Sequence, residues 1–167
     1  MSSRRIVPAV AFLALALVVL ALVGRVREES ITGTAHVIDG DSLVVNGREM
    51  RLKGLDAPES RQTCRVAGKD MPCGREASFA LRRWLQRGPV TCIGHETDRY
   101  GRLLVACRVA GQDIGADLVR NGHAVDGGAY PREEAFARGD GRGIWAGEFE
   151  RPEDWRRRHR AEMPPRP

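Results

Sequence analysis

Four cysteines, Cys64, Cys73, Cys92 and Cys107, limit how this 167-residue chain can fold. An even number in an oxidising compartment points to two disulfides, with three possible connectivities. No Cys-x-x-Cys pair is present, so the spacing does not suggest a zinc site. Turn geometry favours a local pairing. Residues 90–96 and 102–109 are rich in β-formers and flank the turn sequence Asp98-Arg99-Tyr100-Gly101. A plain two-residue turn there pairs positions whose numbers sum to 199, as those of Cys92 and Cys107 do. The two then face each other unless a bulge intervenes. Cys64 and Cys73 are left to close a short loop containing Gly68 and Pro72.

Upstream, residues 32–38 form a β-rich run and 42–45 a short apolar one. Asn46-Gly47 is a hairpin turn, and 49–55 makes a third strand, ended by Asp56-Ala57-Pro58. Residues 75–86 place Ala77, Ala80, Leu81, Trp84 and Leu85 on one side of a helix. A second helix at 114–121 stops at Gly122, and a third at 132–138 leads to Gly143-Ile144-Trp145. The order β-β-β-α-β-β-α-α predicts an α+β, mainly β fold. It fits a five-stranded OB-fold barrel, of the kind that binds oligonucleotides, with about three helices. The domain covers residues 30–147. Residues 148–167 are a charged Pro- and Arg-rich C-terminal tail, either solvated or a short helix packed on the domain.

Residues 6–23 are unbroken apolar sequence, preceded by Arg4 and Arg5 and followed by Arg25 and Arg27. That length is about enough to span a bilayer and exceeds a signal-peptide core of about 7–15 residues. Residues 1–29 are therefore expected to be an N-terminal transmembrane helix acting as a signal anchor. The Arg pair keeps the N-terminus cytoplasmic, which leaves the rest of the chain on the periplasmic side of the cell membrane. Secretion after signal cleavage is the alternative, although 21–24 offers a poor cleavage site. The cysteines agree with export.

The 27 basic residues nearly balance the 22 acidic ones, a net charge of +5. That excludes a polycation acting through bulk field; phosphates would have to be met by a few placed cations. Two clusters stand out. Asp39-Gly40-Asp41-Ser42 starts the second strand, while Arg51 and Asp56-Ala57-Pro58-Glu59 end the third. The Asn46-Gly47 hairpin sets these strands side by side, near enough to join Asp41, Arg51 and Asp56. Paired carboxylates without thiol or imidazole suit a hard cation such as Ca²⁺ or Mg²⁺. Phosphodiester hydrolysis builds negative charge on phosphorus oxygens, which a cation and two planar guanidiniums can meet. A carboxylate can take the proton of the attacking water. No histidine cluster is apparent among His36, His95, His123 and His159.

The order DGDS, RLKGLDAPE, DRYGR and Gly-x-Gly-Ile-Trp resembles the staphylococcal nuclease (thermonuclease) family across about residues 31–147. The steps of five from Arg51 to Asp56 and three from Asp56 to Glu59 match that family's motif. The resemblance implies an OB-fold enzyme that hydrolyses DNA and RNA with Ca²⁺ and leaves 3′-phosphate ends. It implies that Asp41 and Asp56 hold the metal with the backbone carbonyl of Ala57, and that Asp39 lies in the outer shell. Glu59 would be the general base, and Arg51 and Arg102 would grip the phosphate. Tyr100 and Tyr130 are candidates for contact with substrate. Ser42 stands where Thr is more usual. The loop after Glu59, with Cys64 and Cys73, differs from the lysine-bearing loop of the founding member. The soluble domain is expected to be monomeric. The competing reading is a catalytically inactive module of the same fold that binds nucleic acid or protein. The joint presence of Asp41, Arg51, Asp56, Glu59 and Arg102 favours the enzyme.

Overall fold

The hairpin of β3 (Ser42–Val45) and β4 (Arg48–Leu52) sets Val45 opposite Arg48 and Ser42 opposite Arg51. Its two turn residues are left-handed, Asn46 at φ 51° and Gly47 at φ 80°, as a two-residue hairpin turn matching strand twist requires. The computed structural model describes residues 28–162 and, before them, Leu15 alone. The expected transmembrane segment, residues 1–29, thus lies outside the described residues except for Leu15, Glu28 and Glu29, and Glu29 already belongs to a β-strand. Among the described residues no helix is long and apolar enough to cross a membrane.

The first strand is interrupted at Thr34. Its first part, β1 (Glu29–Gly33), pairs with β8 (Val90–Thr97), and its second, β2 (Ala35–Val37), pairs with β3. Adding β9 (Leu103–Val109), the sheet runs β1-β8-β9-β4-β3-β2, with the short β10 (Gln112–Asp113) also paired to β9. The β4–β9 pair is parallel, and the others on that path are antiparallel. Both ends of the path are therefore pieces of one stretch of chain, and the sheet curls into a mixed half-barrel. All five predicted strands take part in it.

Residues 28–162 hold four α-helices rather than about three: α1 (Cys73–Leu85), α2 (Ile114–Arg120), α3 (Pro131–Gly139) and α4 (Pro152–Arg158). The fourth belongs to the C-terminal tail. The main core lies between the concave sheet and the first two helices, with Leu43, Met50, Leu81, Val105, Ile114 and Leu118 fully buried.

Cys92 and Cys107 are directly paired and bonded, as are Cys64 and Cys73. The register at Cys92 survives through two compensating departures from a plain hairpin. Near the turn Thr97 faces Leu103, one residue off the two-residue pairing. A bulge between Gly94 and Glu96 then restores it. The bond closes a loop with a sequence separation of 15. Replacing both cysteines with alanine is expected to remove about 3 kcal/mol of stability, by the chain-entropy estimate for such a loop. Urea unfolding measures this. A loss under about 1 kcal/mol would mean that the ladder alone already restricts the unfolded chain.

The expected loop between Cys64 and Cys73 contains a hairpin of its own. β6 (Cys64–Val66) and β7 (Lys69–Met71) turn at Ala67 and Gly68, both with positive φ. β12 (Gly147–Glu148) pairs with β6. Cys64, Cys73, Val125 and Ile144 form a second small core, against which Met71, Trp145 and Phe149 pack. This core ties the segment leading into α4 to the body of the domain.

Candidate active site

Asp41 is placed by a tight loop before β3. The Asp41 N–H donates to Asp39 Oδ1 at 3.1 Å, and the Ile38 N–H donates to the Ser42 carbonyl at 2.9 Å. Gly40 is required by close packing. A Cβ there would come within 2.7 Å of the Cβ atoms of both Ala57 and Ala77. The loop therefore lies flush against α1 and the chain that carries Asp56. Asp41 is 3% exposed. Its carboxylate accepts from the Ala57 N–H at 3.1 Å and from Ser42 Oγ at 3.1 Å. Its carboxyl is pushed up to about 7, chiefly by burial and also by the charges of Asp39 and Asp56, against the pull of Arg51 and the Ala57 N–H.

Arg51 projects from β4 beside this loop, and the next turn brings Asp56 back to it. The predicted strand over 49–55 is split here. Gly54 has φ 78°, and a Cβ on it would meet the Ala129 Cβ at 2.3 Å. After this break β5 (Leu55–Asp56) pairs with β11 (Val125–Asp126). Arg51 Nη2 lies 2.8 Å from Asp41 Oδ2 and 2.8 Å from Asp56 Oδ1. One nitrogen thus joins two carboxylates, one from the loop before β3 and one from β5.

Glu59 follows on a loop pinned by Gln62, which is 1% exposed. The Glu59 N–H donates to Gln62 Oε1 at 3.1 Å, and Gln62 Nε2 donates to the Glu150 carbonyl at 2.7 Å. A Cβ on Gly74, near the start of α1, would overlap the Glu59 carbonyl at 1.7 Å, so helix and loop are in backbone contact. The Glu59 carboxylate accepts from Arg156 Nη1 at 2.8 Å. The same guanidinium forks onto Asp56, Nη1 to Oδ1 at 2.9 Å and Nη2 to Oδ2 at 2.8 Å. Burial alone would lower the Arg156 pKa; its bonds to Asp56 and Glu59 outweigh that and raise it.

Sequence reasoning missed both Gln62 and Arg156. Gln62 carries no signal beyond being polar. Arg156 follows Pro152, Glu153 and Asp154, an order that marks a short helix but not what it touches.

Arg102 leaves the β8–β9 turn at the start of β9 and is 6% exposed. Its Nε and Nη2 lie 2.8 and 2.7 Å from Asp98 Oδ2. Its Nη1 donates to Ser42 Oγ at 3.2 Å. Ser42 therefore links Arg102 to Asp41. Tyr100 is half exposed on the same turn, with the Arg99 guanidinium 4.9 Å from its ring centre. Tyr130 sits elsewhere. Its hydroxyl donates to Asp113 Oδ1 at 3.3 Å, the residue that caps α2. Burial, reinforced by Asp113, pushes that phenol up to about 12.

Among the described residues no ready-made group of three His, Cys, Asp or Glu side chains stands as a metal site. The donors present nevertheless fit a hard cation. Asp41 and Asp56 converge on one nitrogen, both are oxygen ligands, and buried Asp41 lacks enough nearby positive charge to stay fully ionised at neutral pH. Arg51 bridges the two carboxylates, whereas Arg156 reaches only Asp56 and Glu59 and leaves Asp41 to Arg51 alone.

The family model described as "Staphylococcal nuclease homologue" matches residues 49–147. That span includes Arg51, Asp56, Glu59 and Arg102, whereas Asp39, Asp41 and Arg156 fall outside it. The chain is 38% identical over 125 residues to the "Succinoglycan biosynthesis protein ExoI" of Rhizobium meliloti (strain 1021), covering 70% of this chain and 65% of that one. It is 31% identical over 127 residues to the "Probable staphylococcal-like nuclease CAN3" of Oryza sativa subsp. japonica, covering 72% of this chain and 31% of that protein. It thus spans just under two thirds of the first relative and about a third of the second.

Proposed function

The chain belongs to the staphylococcal nuclease homologue family, and from that footing we propose that it hydrolyses phosphodiester bonds of DNA and RNA with the help of Ca²⁺. The observation that carries this reading is the meeting of Asp41, Asp56 and Arg51 at one nitrogen, 2.8 Å from each carboxylate. Asp41 and Asp56, with the Ala57 carbonyl, would hold the ion, and Asp39 supports them by fixing the loop. When bound, the ion supplies Lewis acidity toward a phosphoryl oxygen.

The remaining work falls to the chain's own groups. Arg51 donates to an equatorial phosphate oxygen from beside the carboxylates. Arg102, locked by Asp98 and Ser42, presents a second guanidinium whose direction is set before substrate arrives. Glu59 accepts the proton of the attacking water. Its loop is held in place through Gln62, so the base keeps its aim. Tyr100, half exposed beside Arg102, offers a face on which a base can stack.

The full chain incubated with single-stranded DNA or RNA and Ca²⁺ is expected to degrade both. Excess EDTA should stop the reaction and added Ca²⁺ should restore it. Undiminished cleavage in EDTA would remove the metal from the scheme. Intact DNA and RNA in the presence of Ca²⁺ would overturn the nuclease reading and leave a binding module.

A further inference from the structure

We propose that Arg156 is a built-in rival of the divalent cation for Asp56, so that the C-terminal helix sets the cation affinity of the site. The inference rests on the reading of Asp56 as a cation ligand. A carboxylate has about four lone-pair positions. On Asp56 two are taken by the Arg156 fork and a third by Arg51, all at 2.8–2.9 Å. A forked guanidinium is among the strongest partners a carboxylate can have. A cation bound to the same oxygens at about 2.3–2.6 Å needs those positions. It would also bring a second positive centre within a few ångströms of the guanidinium, at a place only partly screened by water. One position, on Oδ2, is left, too few for a cation held by both oxygens, so cation and fork compete for Asp56.

Arg156 is not a surface arginine caught by chance. Pro152 at the start of α4 is buried, and the carbonyl of Glu150 just before it is held by buried Gln62 at 2.7 Å. Trp145 and Phe149 pack onto the small core that contains the Cys64–Cys73 bond. The extra hairpin of that loop thus seats β12, and β12 leads into the helix that carries Arg156. The neighbours on α4 behave differently. Arg157 pairs with Asp154 and Arg158 with Glu150, and their side chains are 66% and 67% exposed against 26% for Arg156. The Arg156 side chain can withdraw by rotating its own stem, with the helix left in place.

The test is calorimetric titration of Ca²⁺ into the full chain without nucleic acid, for the parent, Arg156→Gln, Arg157→Gln and Asp56→Asn. Arg156→Gln is expected to tighten Ca²⁺ binding by about fivefold or more, since a charged competitor is lost. Arg157→Gln should stay within about twofold, as expected for a solvated charge, and Asp56→Asn should abolish binding. If Asp56→Asn abolishes binding while Arg156→Gln binds no tighter than the parent, the rivalry is wrong and the cation site stands. If Asp56→Asn binds like the parent, the cation reading itself fails and the rivalry with it. Should Arg156→Gln not fold, Arg156→Lys carries the test. It keeps the charge but loses the fork, so it should tighten binding by a smaller factor, and an unchanged constant would overturn the proposal.

Discussion

Replacing Arg51 with alanine is expected to lower kcat by about 10²- to 10³-fold, through the loss of one preorganised charge-assisted donor to the phosphate. The fold should weaken as well. Arg51 is the cation that lies 2.8 Å from both Asp41 and Asp56, and Asp41 is 3% exposed. Removing one partner of a buried pair costs about 3 kcal/mol when the other must stay charged. Asp41 can avoid part of that by taking up a proton, so about 3 kcal/mol is an upper figure. Arg51→Lys separates the two effects. It restores a positive charge near the carboxylates but not a planar fork, so it should recover more of the stability than of kcat. Steady-state kinetics on single-stranded DNA and urea unfolding read the two quantities independently. A kcat within about twofold of the parent for the alanine variant would remove Arg51 from the phosphate site. Unchanged stability would show that the carboxylates do not depend on it.

The parts of this site that were legible in the sequence are those fixed by local chemistry. Asn46-Gly47 dictates a two-residue turn, and that turn alone sets Ser42 opposite Arg51 and brings the DGDS loop to it. The Cys92–Cys107 pairing came out as expected, but through a longer turn and a bulge that cancel, a pair of departures invisible in the β-pattern. The split of the third strand was not legible. It depends on the Gly127 and Ala129 N–H groups reaching the Gly54 carbonyl at 2.9 and 3.4 Å, from a segment more than seventy residues downstream. That split is what turns Asp56 back toward Arg51. Arg156 lay further still from view, since it meets Asp56 across a separation of 100 residues. Helix signals can place α4 on the chain, but no local pattern says which carboxylate its arginine will find.

Arg102→Ala is expected to combine a kcat loss of about 10²-fold or more with a stability loss of about 3 kcal/mol. Arg102 is buried, and two of its nitrogens lie on one oxygen of Asp98, a carboxylate that is itself only 15% exposed. Burial works to raise the Asp98 pKa. The hydrogen bond from Arg102, with those from the Arg102 and Tyr100 N–H groups, outweighs it and holds the carboxyl below its ordinary value. The sign of the pH dependence follows. A carboxyl depressed in the folded state adds stability above its unfolded pKa of about 3.9, and that stability is lost as pH falls through the folded value. The difference in stability between parent and variant should therefore be full at neutral pH and shrink below about pH 4. A difference that stays constant down to pH 3 would mean that the variant suffers from lost packing rather than from an unpaired Asp98. The kinetic part needs Arg102→Lys beside it. If the lysine variant regains most of the stability yet keeps most of the kcat loss, the planar guanidinium acts on the phosphate and its burial serves to aim it. If stability and kcat recover together, Arg102 is a structural clamp for the turn and for Ser42, and the phosphate must be met by Arg51.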